Sequence, residues 1–110
     1  MAKFAVFFCY ATTSWATFIA KPSDRRAAIR TMLENLEGTL DELYFMLSEW
    51  DGMAILDLPD VEGAVALSAA MKSSGAFERL ETHELIAPDR LPDALAKSRA
   101  LVSEYRPPGV

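Results

Sequence analysis

Apolar positions along the chain fall into four short runs and four stretches of helical spacing. After Lys3, residues Phe4 to Ala11 are apolar or aromatic without interruption, which predicts a strand over 3–10 buried on both faces. Residues 11–21 follow with Trp15, Phe18 and Ile19 at helical spacing and Thr12, Thr13 and Ser14 as N-cap candidates, so a short helical turn is expected. Pro22 and Ser23 open a second helical segment whose stripe is Ile29, Met32, Leu33 and Leu36, with Gly38 placed as its C-terminal cap. Residues 39–49 read as a second strand, apolar from Leu43 to Leu47, and Asp51-Gly52 as the hairpin turn into a third strand over 53–58. Asp60 is a good N-cap for a helix over 61–73, in which Ala64, Ala66, Ala69 and Ala70 permit close approach to a sheet. Gly75 ends that helix, and 76–87 reads as a fourth strand with Glu78, Arg79, Glu81 and Glu84 interleaved. A last helix opens at Pro88-Asp89, with Leu91, Leu95, Leu101, Val102 and Tyr105 on its inward side.

This order predicts an α+β fold, the ferredoxin-like split βαββαβ with a four-stranded antiparallel sheet and an extra C-terminal helix. The first and third strands, the most continuously apolar, belong at the centre. The two main helices cover only one face of such a sheet, yet the strands are apolar on both. A bare face of that size exceeds what soluble monomers expose, so a second copy packed sheet to sheet is expected.

Composition narrows the chemistry. The chain has 110 residues, 51% of them hydrophobic, which suits a single domain over 1–106 with a short tail at 107–110. One cysteine forms no internal disulfide, and one histidine anchors no zinc site of the usual kind. The net charge is −5, and between Arg30 and Lys72 there are nine acids and no base. Neither nucleic acid nor a membrane surface is expected as a partner. The N-terminal run resembles a signal peptide in length, but Trp15, Phe18 and Ile19 crowd the place where small residues precede cleavage. A cytoplasmic protein is expected.

Five short stretches carry a resemblance. They are Tyr10-Ala11-Thr12, Arg25-Arg26 opening a helix, Glu49-Trp50-Asp51 leading into an apolar strand, Leu58-Pro59-Asp60 before an alanine-rich helix, and Ser74-Gly75-Ala76 entering the fourth strand. Together the chain resembles the GYD-domain family of small bacterial proteins. In the signature turn Asp51 is retained, Trp50 stands for the tyrosine, and Ser48 or Glu49 stands where the glycine is expected. The resemblance implies a ferredoxin-like fold related to dimeric α/β barrels and implies no particular reaction.

Candidate ligand-binding residues are Tyr10, Trp15, Tyr44, Trp50, Asp51 and His83. The four aromatics have polar tips and would suit a pocket for a flat organic molecule, although packing explains them more simply. Asp51 beside Gly52 reads as a turn residue binding nearby backbone N–H groups, a role worth about 1 kcal/mol. His83 is the one side chain suited to proton transfer near neutrality, but Thr82 and Glu84 point to the opposite face, leaving its ring without an orienting carboxylate. Cys9 has no cation beside it in sequence and reads as a buried, inert thiol. Lys21, Arg25, Arg26 and Arg30 form a basic patch where an anion would bind, or simply a solvated helix face. No phosphate loop or dinucleotide fingerprint occurs, and no catalytic residue, metal or cofactor is assigned. The expected function is a non-enzymatic, self-associating small-molecule-binding or scaffold domain. The alternative is a cofactor-independent enzyme of the dimeric α/β-barrel kind acting on a small aromatic or polyketide-like substrate, with its pocket between sheet and helices.

Overall fold

The computed structural model describes all 110 residues. Four strands, β1 (Ala2–Tyr10), β2 (Thr39–Phe45), β3 (Gly52–Leu58) and β4 (Phe77–Leu85), form one antiparallel sheet in the order β2-β3-β1-β4. Helices α1 (Thr12–Ala20) and α2 (Arg25–Glu34) connect β1 to β2, α3 (Val61–Ser73) connects β3 to β4, and a 3-10 turn (Pro88–Arg90) leads into α4 (Leu91–Leu101). This is the expected α+β, ferredoxin-like arrangement with an extra C-terminal helix, and the most apolar strands, β1 and β3, are central.

The period of two along β1 sorts its side chains. Phe4, Val6 and Phe8 face the helices and form the core with Leu56 and Leu58 of β3, Leu33 of α2 and Leu67 of α3. Ala5, Phe7 and Cys9 face away. A bulge in β2 shifts the register between Leu40 and Glu42, so Leu40 and Leu43, three apart, both join the core side. The same irregularity and an early end separate β2 from its expected extent. The strand stops at Phe45, and 46–51 form a loop closed by Met46 N–H donating to the Asp51 carbonyl at 2.8 Å. Gly52 is therefore not a turn residue. It opens β3, paired with Phe8 on one side and Phe45 on the other.

Caps confirm part of the reading and correct part. Asp60 accepts from Gly63 N–H at 2.9 Å and caps α3 as expected. Helix α2 is capped by Asp24, through Ala27 N–H at 3.1 Å, rather than opened at Pro22-Ser23. The N-cap of α1 is Ala11, which has no side-chain acceptor, and the Ser14 hydroxyl, already inside the helix, donates to the Ala76 carbonyl at 2.8 Å. Beyond α2, Glu37 N–H donates to Glu34 O at 3.1 Å and Gly38 N–H to Leu33 O at 2.9 Å, the paired bonds of a Schellman closure. The left-handed position of that closure is taken by Glu37, with φ 56°, and not by Gly38. Gly38 is there for space, since a Cβ would lie 2.6 Å from Leu58 Cδ2 and 2.7 Å from the Asp57 carbonyl. After α3 the usual glycine solution holds, with Gly75 at φ 76°.

The C-terminal helix departs most from expectation. Its apolar side does not point inward. Leu95 is 54% and Val102 77% exposed, and its one substantial contact is with the 3-10 turn before it. The chain is correspondingly long, 59 × 34 × 24 Å, with a radius of gyration of 18.0 Å. A compact domain of this length has about 13 Å. The stripe has helical period, but the core it would cover is already closed by α2 and α3.

The Schellman geometry makes a pair of opposite expectations. Glu37→Gly should raise stability by about 0.5–1 kcal/mol by removing the left-handed penalty of a side-chain-bearing residue. Gly38→Ala should lower it by about 1–3 kcal/mol, because the new methyl must displace Leu58 or the Asp57 backbone. Denaturant unfolding of both variants measures the two signs, and the reverse order would contradict the assignment of roles.

Candidate functional site

The helix side of the sheet holds an open groove of about 590 Å³. Helices α1 and α2 make one wall, and the end of α3 with the segment entering β4 makes the other. Its floor is aromatic. Tyr10 stacks on Phe77 with ring centroids 5.3 Å apart and meets Phe8 at 5.3 Å and Phe18 at 6.3 Å. Met71 of α3 and Ile29 of α2 extend the apolar lining. The volume lies within the ordinary range of small-molecule sites, about 300–1,000 Å³.

The α1 wall is held from outside the groove. No residue of α1 is buried, so core packing does not secure it. Asp51 does. Its Oδ2 accepts from the Tyr10 backbone N–H at 2.9 Å and from the Trp15 indole N–H at 3.0 Å. Its own N–H donates to the Phe8 carbonyl at 2.9 Å. Trp15 also meets Tyr10 edge-on at 5.4 Å and Phe18 at 6.0 Å. At the other end, Ala11 N–H and the Ser14 hydroxyl both donate to the Ala76 carbonyl, fastening α1 to the α3–β4 connection.

The opposite face of the sheet gathers the remaining candidates. Trp50 packs at 5.9 Å from Phe7, and the Arg79 guanidinium lies 4.4 Å above its ring. Arg79 also donates to the Glu49 carbonyl at 2.6 Å and reaches Cys9 Sγ at 3.4 Å. Cys9 is buried, but its cationic neighbour arrives across the β1–β4 ladder, where Cys9 and Arg79 are partners. His83 sits edge-on to Phe7 at 5.9 Å, half-exposed on edge strand β4. Its Nε2 lies 3.5 Å from Glu81 Oε1, so a carboxylate does face the ring, two residues away on the same side of the strand. Tyr44 is exposed on β2, and Glu42 beside it holds its hydroxyl pKa above the usual tyrosine range, mainly through their hydrogen bond. At the far end Lys3 pairs with Asp41 and, at 3.0 Å, with Asp57. The hydrogen bond from Lys3 draws the Asp41 carboxyl below its ordinary range. Its contribution to stability is therefore present above that range and is lost as pH falls through the lowered folded-state value.

The six sequence candidates are thus not one constellation. Tyr10 lines the groove, while Trp15 and Asp51 brace its wall. Trp50 and His83 lie on the other face, with Tyr44 at its edge. The groove's own Thr13, Thr17, Phe18 and Met71 were not singled out by sequence as ligand residues. Thr13 and Thr17 with Lys21 do have a readable signal, the i, i+4, i+8 spacing of one helix face.

Sheet order and two crossover connections define a ferredoxin-like fold with a groove on the helix side of its sheet. The GYD domain family model matches residues 4–95, and the chain belongs to the GYD-domain family. The match ends inside α4. None of the curated proteins matches the chain. Among solved structures, one described as "crystal structure of FFRP-DM1" superposes with a TM-score of 0.49 at 11% identity, covering 78% of this chain and 100% of that one. No helix is long and apolar enough to cross a membrane.

Removing Asp51 leaves two half-buried N–H donors without a partner, a larger effect than the loss of a turn bond. Asp51→Ala should cost about 2–4 kcal/mol, and Asp51→Asn, which keeps an acceptor, about 1 kcal/mol. Thermal and urea unfolding of the two variants report this directly. A melt of Asp51→Ala superimposable on that of the wild type would contradict the bracing role.

Proposed function

We propose that the protein is a self-associating small-molecule-binding domain whose ligand lies in the groove between the helices and the sheet. The observation that carries this is the groove itself: an aromatic floor under Tyr10 and Phe77, with hydroxyls and cations on its walls. His83 does not share it, being on the other face of the sheet. Binding is therefore favoured over proton-transfer chemistry in that groove.

Self-association rests on surface area. The chain exposes 7,794 Å², whereas a compact monomer of 12.1 kDa exposes about 6,000 Å². The excess, about 1,800 Å² per chain, is of the size that obligate homodimers bury. Two surfaces are candidates for such burial. One is the open sheet face, whose half-buried centre of Phe7, Met53, Ile55 and Trp50 is rimmed by Glu42, Glu81, His83 and Arg79. An apolar centre inside a polar rim is the anatomy of an interface. The other is α4, an 11-residue helix too short to persist in water without a partner. The buried free thiol of Cys9 suits a reducing compartment such as the cytoplasm.

Two readouts on one set of samples test the proposal. Sedimentation equilibrium should give twice the chain mass of 12.1 kDa or a multiple of it, and Ile55→Asp should shift the protein toward the single-chain mass. The uncharged fluorophore N-phenylnaphthylamine should bind, and filling the groove with Ala70→Trp should weaken it by at least about tenfold, the loss of one well-buried contact set. A single-chain mass at micromolar concentration would overturn the association. Fluorophore binding indifferent to Ala70→Trp would overturn the groove.

A further inference from the structure

The charge of the groove is opposite to the charge of the chain. The protein carries a net −5, yet the groove walls contain two cations, Lys21 and Arg25, and no carboxylate. Neither cation is neutralised within the chain. The ion pairs are Lys3 with Asp41 and Asp57, and His83 with Glu81. Arg25 donates to the Ser23 hydroxyl at 3.3 Å, which leaves most of its five donors free. The nearest acid in sequence, Asp24, is committed to the α2 cap through Ala27 N–H.

Helix geometry adds to this. Thr13 and Thr17 follow each other at i, i+4 along α1, and Lys21 continues the row just past the helix end. All three line the groove. The result is a polar row that ends in a positive charge, set beside an apolar trough formed by Tyr10, Phe18, Met71 and Phe77. A ligand with a flat or acyl apolar body satisfies the trough. Only an anionic head satisfies Lys21 and Arg25, and charge-assisted hydrogen bonds beside an apolar wall are stronger than those made in open water.

We propose that the groove selects small amphipathic monoanions, with the apolar body on the Tyr10–Phe77 floor and a carboxylate or sulfonate head held by Lys21 and Arg25. This rests on the groove being the ligand site and specifies the class of ligand it takes. The shared chemistry is one compact anion on an apolar body.

Two fluorophores with the same ring system separate the two levels of the claim. Anilinonaphthalene sulfonate carries an anion, and N-phenylnaphthylamine does not. On the full-length protein the sulfonate should bind at least about tenfold more tightly, the scale of one charged hydrogen bond. Lys21→Met and Arg25→Met should each remove most of that preference while changing the uncharged probe by less than about twofold. Lys72→Met, a cation outside the groove, should change neither probe. Ala70→Trp should weaken both, and Thr13→Trp on the exposed rim does the same job if the first variant fails to fold. If the groove-filling variants weaken both probes but the methionine variants leave the sulfonate unchanged, the anion-selective reading is overturned and the groove remains a site. If groove filling changes neither probe, the site itself is wrong and the ligand class falls with it.

Discussion

A single carboxylate joins three pieces of chain that core packing does not hold together. Asp51 Oδ2 receives the Tyr10 amide at the end of β1 and the Trp15 indole of α1, while its backbone closes the 46–51 loop and reaches Phe8. The helix it holds has nine residues, no buried side chain and no side-chain cap. Helices of that length have little stability of their own. Without the bracket, α1 retains only its contacts with the aromatic floor and with the Ala76 carbonyl. Since α1 is a wall of the groove, the shape of the groove depends on a residue that does not line it.

The sheet divides the molecule's chemistry into two halves. Toward the helices lie an aromatic trough, a row of hydroxyls and two unpaired cations. Away from them lie Trp50 under Arg79, His83 beside Glu81, and the Lys3–Asp41–Asp57 cluster around a half-buried apolar centre. A four-stranded sheet separates the histidine from anything in the trough. On the proposed reading the two halves would serve two tasks, recognition of a small molecule on one side and contact between copies on the other. In both, the apolar surface would supply the free energy and the charges at the rim would set selectivity.

Much of the fold was legible in the sequence because its signals are local. The unbroken β1 run, the Asp60 cap and the alanine-rich α3 each declare themselves within a few residues, and their order fixes the sheet. What escaped was long-range or steric. The run from Leu43 to Leu47 reads as continuous strand, but the Asp41 bulge and the Met46–Asp51 closure end β2 at Phe45. Gly38 reads as the left-handed cap, whereas the position of Leu58 and Asp57 across the core is what requires it. The stripe of α4 has helical period, but its residues lie exposed: periodicity does not say whether the chain's own core has room for the face it marks. Cys9 reads as lacking a cation because Arg79 is 70 residues away. For the same reason Asp51 was legible as a local turn residue and not as the acceptor for Trp15, 36 residues before it.

The dependence of the groove on Asp51 is tested most directly by hydrogen exchange at the Trp15 indole and the α1 amides, compared between wild type and Asp51→Ala. The account predicts that the substitution releases the indole proton and the amides of Thr12–Ala20 to fast exchange while the β1–β3 ladder stays protected. Continued protection of α1 and of the Trp15 indole in Asp51→Ala would contradict it.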